Sequence, residues 1–216
     1  MIRDAAEGNE PGRAAFANQY LEAVQAYLRA RWSGSQMIRF TDDAAQDVFL
    51  ECFRENGPLN RVKENRPSSF RAYLYGLARN IARRFEDRGV RDAKRQGPSI
   101  SKLDVATDEP SLSQVFDRAW ARMIMKQAGD RHRHLANQSG EAAIRRVELL
   151  ELRFQQGLPI RHIADQWQVD PAKLHRQYAK AREEFRLALV YVVGLYRPGS
   201  PGEIDEEVKA LLKLLS

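Results

Sequence analysis

The chain has 216 residues, 43% of them hydrophobic and 30% charged, a composition that excludes a disordered or fibrous polypeptide and allows one globular domain or two small ones. Lys and Arg outnumber Asp and Glu by 35 to 29, a net charge of +6, and such a balance favours polyanionic partners because each neutralised phosphate releases counterions. The single cysteine, Cys52, excludes an internal disulfide; Met1 to Asn18 is polar, and the longest apolar run, Leu187 to Leu195, falls short of the ~20 residues that span a bilayer, so a cytoplasmic protein with no membrane partner is expected.

Almost every periodic segment reads as helix. Phe16, Tyr20, Val24, Tyr27 and Leu28 recur at three- and four-residue steps, up to a stop at Trp32 and Gly34. Asp42 or Asp43 is expected to cap a second helix with Val48, Phe49, Cys52 and Phe53 inside, closed by Gly57-Pro58. Ser68 or Ser69 is expected to cap a third, in which Phe70, Leu74, Leu77, Ala78 and Ile81 share a face. From Arg83 to Arg95 the chain is strongly basic, and from Gln96 it loses periodicity. Helix resumes at Leu112 with Val115, Phe116, Ala119, Trp120 and Met123, and breaks near Asn137 to Glu141. Ile144, Val147, Leu150 and Phe154 mark the next helix, widened by Leu149 and Leu152.

Leu158 to Gln168 fits a short helix with Ile160, Ile163, Ala164 and Trp167 inside. Asp170 is a good N-cap and Pro171 a good first residue for the helix that follows, to about Val190. Leu174, Tyr178, Ala181 and Phe185 form its inner stripe, while Lys173, His175, Arg176, Lys180 and Arg182 lie largely outside. Apolar spacing alone also fits a helical hairpin with a solvated face. The small Ala164, the cap and the basic outer face together point to a helix-turn-helix that offers cations to the major groove. Gln168 is the dissenting residue, since a tight turn there favours glycine. In the tail, Ile204, Val208, Leu211, Leu212 and Leu215 form an apolar stripe after a break at Pro198 to Gly202. Such a stripe is expected to dock on the chain itself, as a restraint on the DNA-reading surface or as a brace.

In the third helix aromatics alternate with arginines, and Tyr73 and Tyr75 cannot both face one core. The spare aromatic is either a stacking platform for unpaired bases or a further core residue. The second helix carries Asp42, Asp43, Gln46, Asp47, Glu51 and Glu55 on its polar side. That face repels nucleic acid and suits either a basic protein partner or solvent. His132-Arg133-His134 is a weak metal motif in basic surroundings that suggest a solvated loop. Phosphate loop, nucleophile elbow and zinc spacing are all lacking, so neither enzyme activity, metal nor cofactor is expected.

Three stretches, in order, resemble the extracytoplasmic-function branch of the RNA polymerase sigma factors, within the sigma-70 family. Ala44-Ala45-Gln46-Asp47-Val48-Phe49-Leu50 is similar to region 2.2, Ser69 to Asn80 to the promoter-melting helix, and Ile163 to Val169 through Ala181-Arg182 to the region 4 helix-turn-helix. The long Phe116 to Arg146 segment, with Phe116-Asp117-Arg118-Ala119-Trp120-Ala121, resembles a divergent planctomycete-like branch. Tyr73 stands for a common Trp, Ala72 for a Thr and Gly76 for an Arg.

The resemblance implies an all-α fold of two domains, a region 2 bundle over 15–95 and a region 4 domain over 112–195; composition and spacing add a flexible 1–14, a linker over 96–111 and, outside both domains, a tail helix over 196–216. It implies a transcription initiation factor with core RNA polymerase and promoter DNA as partners, and an anti-sigma factor as a candidate third. Asp43, Gln46, Asp47 and Glu51 match the segment that docks on a coiled coil of the largest polymerase subunit. Ser69, Phe70, Arg71, Tyr73, Tyr75, Arg79, Asn80, Arg83 and Arg84 match the segment that opens the −10 element. Pro171, Lys173, His175, Arg176, Lys180 and Arg182 match the helix that reads the −35 element. The alternative is a helix-turn-helix regulator that delivers no polymerase, which the acidic 42–55 face argues against.

Overall fold

The computed structural model describes residues 10–54, 70–96, 108–196 and 199–215. It is all-α, with no strand among the described residues. The helices are α1 Glu10–Arg31, α2 Thr41–Cys52, α3 Phe70–Gln96, α4 Glu109–Ser139, α5 Glu141–Phe154, α6 Ile160–Trp167, α7 Pro171–Tyr196 and α8 Pro201–Lys213. The chain forms two compact units, 1–123 with 210–216, and 124–209.

In the first unit α1, α2 and α3 pack pairwise. Phe16, Tyr20, Val24, Tyr27, Leu28 and Trp32 of α1 are buried, as are Val48, Phe49 and Cys52 of α2 and Phe70, Leu74, Ala78 and Ile81 of α3. Burial pushes the Cys52 thiol up to about 12, so it is an inert core thiol. The first half of α4 closes this core: Trp120 stacks on Tyr20 at 5.4 Å, and Phe116 meets Tyr75 edge-on at 5.5 Å. Such pairs favour offset and tilted geometries because of the ring quadrupole.

Several ends differ from expectation. The first helix starts at Glu10, six residues before the first predicted apolar position and inside the stretch expected to be flexible. Neither Asp42 nor Asp43 caps α2. A 3₁₀ turn, Gln36–Phe40, capped by Ser35, runs directly into Thr41, and both aspartates fall in the first helical turn, where the helix dipole still favours them. Asp42 instead accepts a hydrogen bond from Gln25 at 2.8 Å. Gly57-Pro58, Ser68 and Ser69 and most of the 96–111 linker lie outside the described residues. The break near residue 140 is one glycine, Gly140, at φ 95°.

In the second unit α5 and α6 both pack on α7. Leu149, Ile160, Ile163, Ala164 and Leu174 form its core, with Leu152, Leu158, Trp167, Val169 and Tyr178 packed against it. His132 belongs to a helix and is buried, contrary to the solvated loop expected. Its Nε2 is 3.7 Å from Glu184, too far for a hydrogen bond, so the contact is electrostatic. Burial, opposed by Glu184 and helped by Arg146 and Arg133, lowers the imidazole below its usual range. Arg146 holds Glu184 at 2.7 and 2.9 Å. At the end of α7, Ile204 of α8 sits against Gly194, and Ser200 and Glu203 form a reciprocal capping box.

Candidate nucleic-acid interface

The link between α6 and α7 is three residues, Gln168, Val169 and Asp170. Gln168 adopts φ 51°, ψ 49°, the left-handed region that the tight turn demands. Its N–H donates to the Asp165 carbonyl at 3.2 Å and the next N–H, of Val169, to Ala164 at 3.0 Å. Asp170 accepts from the N–H groups of Ala172 and Lys173 at 3.0 and 3.2 Å, which fixes where α7 begins. Gln168→Gly is expected to stabilise the second unit by about 0.5 kcal/mol. Relief of the left-handed penalty, about 1–2 kcal/mol, exceeds the added freedom of the unfolded chain, about 0.4–1 kcal/mol. The midpoint of urea unfolding checks this, and an unchanged or lower midpoint would contradict it.

Along α7, Leu174 and Ala181 are buried and Tyr178 and Phe185 half-buried, whereas Pro171, Lys173, His175, Arg176, Lys180 and Arg182 are all exposed. Among the described residues none of Lys173, His175, Arg176 and Lys180 has an ion-pair partner. Arg182 lies over the Tyr178 ring at 5.8 Å. All six residues expected at the −35 element are therefore exposed, in two groups on either flank of the side of α7 that faces away from Leu174 and Ala181: Pro171, His175 and Arg182 on one, Lys173, Arg176 and Lys180 on the other.

The residues expected at the −10 element divide. Ser69 lies outside the described residues. Phe70 is a core residue, 3% exposed, tilted against Tyr20 at 5.1 Å and Trp120 at 6.1 Å; buried on all sides, it offers no face to a base. Arg71 is paired with Asp117 at 3.5 Å. The Tyr73 hydroxyl is buried without a hydrogen-bond partner among the described residues, and burial, with Cys52 and Glu51 nearby, raises its pKa. Asn80, Arg83 and Arg84 are exposed and Arg79 half-exposed.

Tyr75 has an unforeseen partner. Its hydroxyl donates to Glu109 Oε2 at 2.8 Å. Glu109 Oε1 accepts from Arg31 Nη1 at 2.8 Å and lies 3.7 Å from Arg79 and 3.9 Å from Arg83. Arg31 in turn clasps Glu86 at 2.6 and 3.0 Å, and Glu86 accepts from the Trp32 ring N–H at 2.8 Å. Burial opposes ionisation of Glu109. The Tyr75 hydroxyl, Arg31 and Arg79 outweigh it and hold the carboxyl below its ordinary range.

On α2, Asp43 and Gln46 are exposed. Asp47 is 3.7 Å from Arg88 and Glu51 3.6 Å from Arg54. Between α1 and α2 opens a cleft of about 420 Å³, lined by Leu21, Asp42, Gln46, Phe49, Leu50 and Phe53. Leu50, 60% exposed, is the feature that charge patterning missed. A leucine among the acids of the polar face was the available signal. An apolar floor beside acid suits a helix carrying apolar and basic side chains.

No protein-family model matches the chain, and no curated protein sequence is similar to it. Among the described residues no cluster of three or more His, Cys, Asp or Glu could hold a metal ion, and no helix is long and apolar enough to cross a membrane.

Proposed function

We propose that the chain is a transcription initiation factor of the extracytoplasmic-function sigma type: a cytoplasmic, non-catalytic protein that delivers core RNA polymerase to promoter DNA. The observation that carries this reading is the start of α7, where Lys173, His175, Arg176 and Lys180, exposed and without ion-pair partners among the described residues, project from the first three turns of a helix fixed by Asp170. Major-groove recognition needs that arrangement. The acid-rimmed cleft at α2 supports the second half of the reading, because a regulator that only binds DNA has no use for it.

The test is run-off transcription with purified core polymerase and genomic DNA. Specific start sites that require the chain are the expected result; DNA binding without transcripts would leave only the helix-turn-helix regulator. Reversing the charges with Asp47→Lys and Glu51→Lys is expected to weaken core binding several-fold, an effect of rim charges on steering and contact. Both side chains are only half-buried, so circular dichroism should be unchanged. Normal holoenzyme assembly by the folded double variant would remove α2 as the docking face.

A further inference from the structure

Four donor side chains converge on the single carboxylate of Glu109, and two of them stop short of it. Arg31, Tyr75, Arg79 and Arg83 converge on it from α1 and α3, yet only Arg31 and Tyr75 reach hydrogen-bond distance, each at 2.8 Å. Arg79 and Arg83 stand off at 3.7 and 3.9 Å. The Nε of Arg79 is buried with no hydrogen-bond partner, a costly state for a charged group. A phosphate is larger than a carboxylate and presents tetrahedral acceptor oxygens, so it matches a seat made of guanidinium groups and a phenol.

We propose that Arg31, Tyr75, Arg79 and Arg83 form a seat for a nucleic-acid backbone phosphate, which Glu109 fills in the free protein and a DNA strand must empty. This rests on the sigma-type reading, since it concerns the α3 face assigned to the −10 element. Glu109 is suited to leaving. It sits in the first turn of α4, and helix ends open at far lower free energy than helix interiors. Two turns further along the same helix, Asp117 stands against Arg71, so a second acid of α4 covers a second cation of α3. The contact acts as a threshold. Non-specific strands must displace an internal anion that is always present at high effective concentration, while a strand that also gains base contacts can do so.

The experiment uses the full-length chain and a fluorescein-labelled 20-nucleotide single strand of mixed sequence at low salt, read by fluorescence anisotropy. Glu109→Gln keeps the side chain's shape and can still accept from Tyr75. It is expected to bind the strand three- to tenfold more tightly than the parent. Glu148→Gln, an exposed site on α5 with the same change in net charge, is expected to show no comparable gain. Adding Arg83→Ala to Glu109→Gln should abolish most of the improvement. Glu109→Asp, which withdraws the carboxylate by one methylene, should give a smaller gain and covers the case of a poorly folded glutamine variant. If both Glu109 variants are folded and bind no more tightly, or gain no more than Glu148→Gln, Glu109 is a structural brace and the proposal fails. That failure is separable from failure of the sigma-type reading. The parent's run-off transcripts would then still appear, whereas loss of the functional reading removes the transcripts themselves.

Discussion

Arg31→Met is expected to destabilise the first unit by about 3 kcal/mol, the lower part of the range for breaking a buried ion pair from one side. The Arg31 side chain is 6% exposed and its partners Glu86 and Glu109 are 15% and 28% exposed. Removing the guanidinium leaves Glu86, among the described residues, with only the Trp32 ring N–H at 2.8 Å and Glu109 with Tyr75 and two more distant arginines. The partial exposure of both acids lets water reach them, which places the cost below the upper limit of about 5 kcal/mol. Adding Glu86→Gln removes the more deeply buried orphaned charge, so the double variant should recover part of the loss. The cycle isolates the coupling of the pair. Trp32 and Trp120 report the first unit and Trp167 the second. Urea unfolding followed by fluorescence in a Trp167→Phe background therefore reads the affected unit alone. A loss under about 1 kcal/mol would mean that the network is a surface ornament of the ordinary kind.

That network also marks where sequence reading ends. The α6–α7 pair and its three-residue turn were legible because their determinants are local. The Asp170 cap, Pro171 at the first helical position and the 174, 178, 181 spacing all lie within about three turns, and the structure keeps each of them. The Gln168 objection was met by strain rather than by a different turn, since the residue adopts the left-handed conformation despite its side chain. By contrast Glu109 lies 78 residues from Arg31 and 34 from Tyr75. No periodicity encodes such a pair, and composition had placed the residue in the linker. Phe70 carried two expectations, an inner position from its spacing and a −10 contact from the resemblance, and its 3% exposure agrees with the spacing.

The α5 stripe was misplaced by a charge. Ile144 and Phe154, expected inside, are 45% and 68% exposed, while Ala143, Arg146, Val147, Leu149 and Leu150 are buried. Arg146 counts as polar in any hydrophobic pattern. Held at 2.7 Å by Glu184, and by the Ala142 carbonyl at 2.9 Å, it lies inside, and the buried arc turns toward it. Buried ion pairs defeat binary patterning in this way because their burial depends on a partner elsewhere in the chain. The acidic cleft at α2 was half legible: the acids stood out, but the leucine among them did not.

Arg176→Ala and Lys173→Ala are expected to change which upstream sequences the chain prefers, each costing about 1–3 kcal/mol at one position of the preferred site, or roughly ten- to a hundredfold. Both side chains are exposed, unpaired among the described residues, and within the first two turns of α7, where side chains reach base edges when a recognition helix enters the groove end-on. Neither supports the core, so thermal stability should be unchanged. Arg182 is placed differently. It lies a further two turns along and over the Tyr178 ring, a position suited to a phosphate. Arg182→Ala should therefore weaken binding about equally for all sequences and reduce the slope of log affinity against log salt by about 1. Selection from a randomised duplex pool, followed by titrations at several salt concentrations, separates the two behaviours. If all three variants keep the parent's preference and affinity, α7 is not the reading helix and the basic face serves another purpose. If all three lose affinity uniformly with no change of preference, α7 contacts only the backbone.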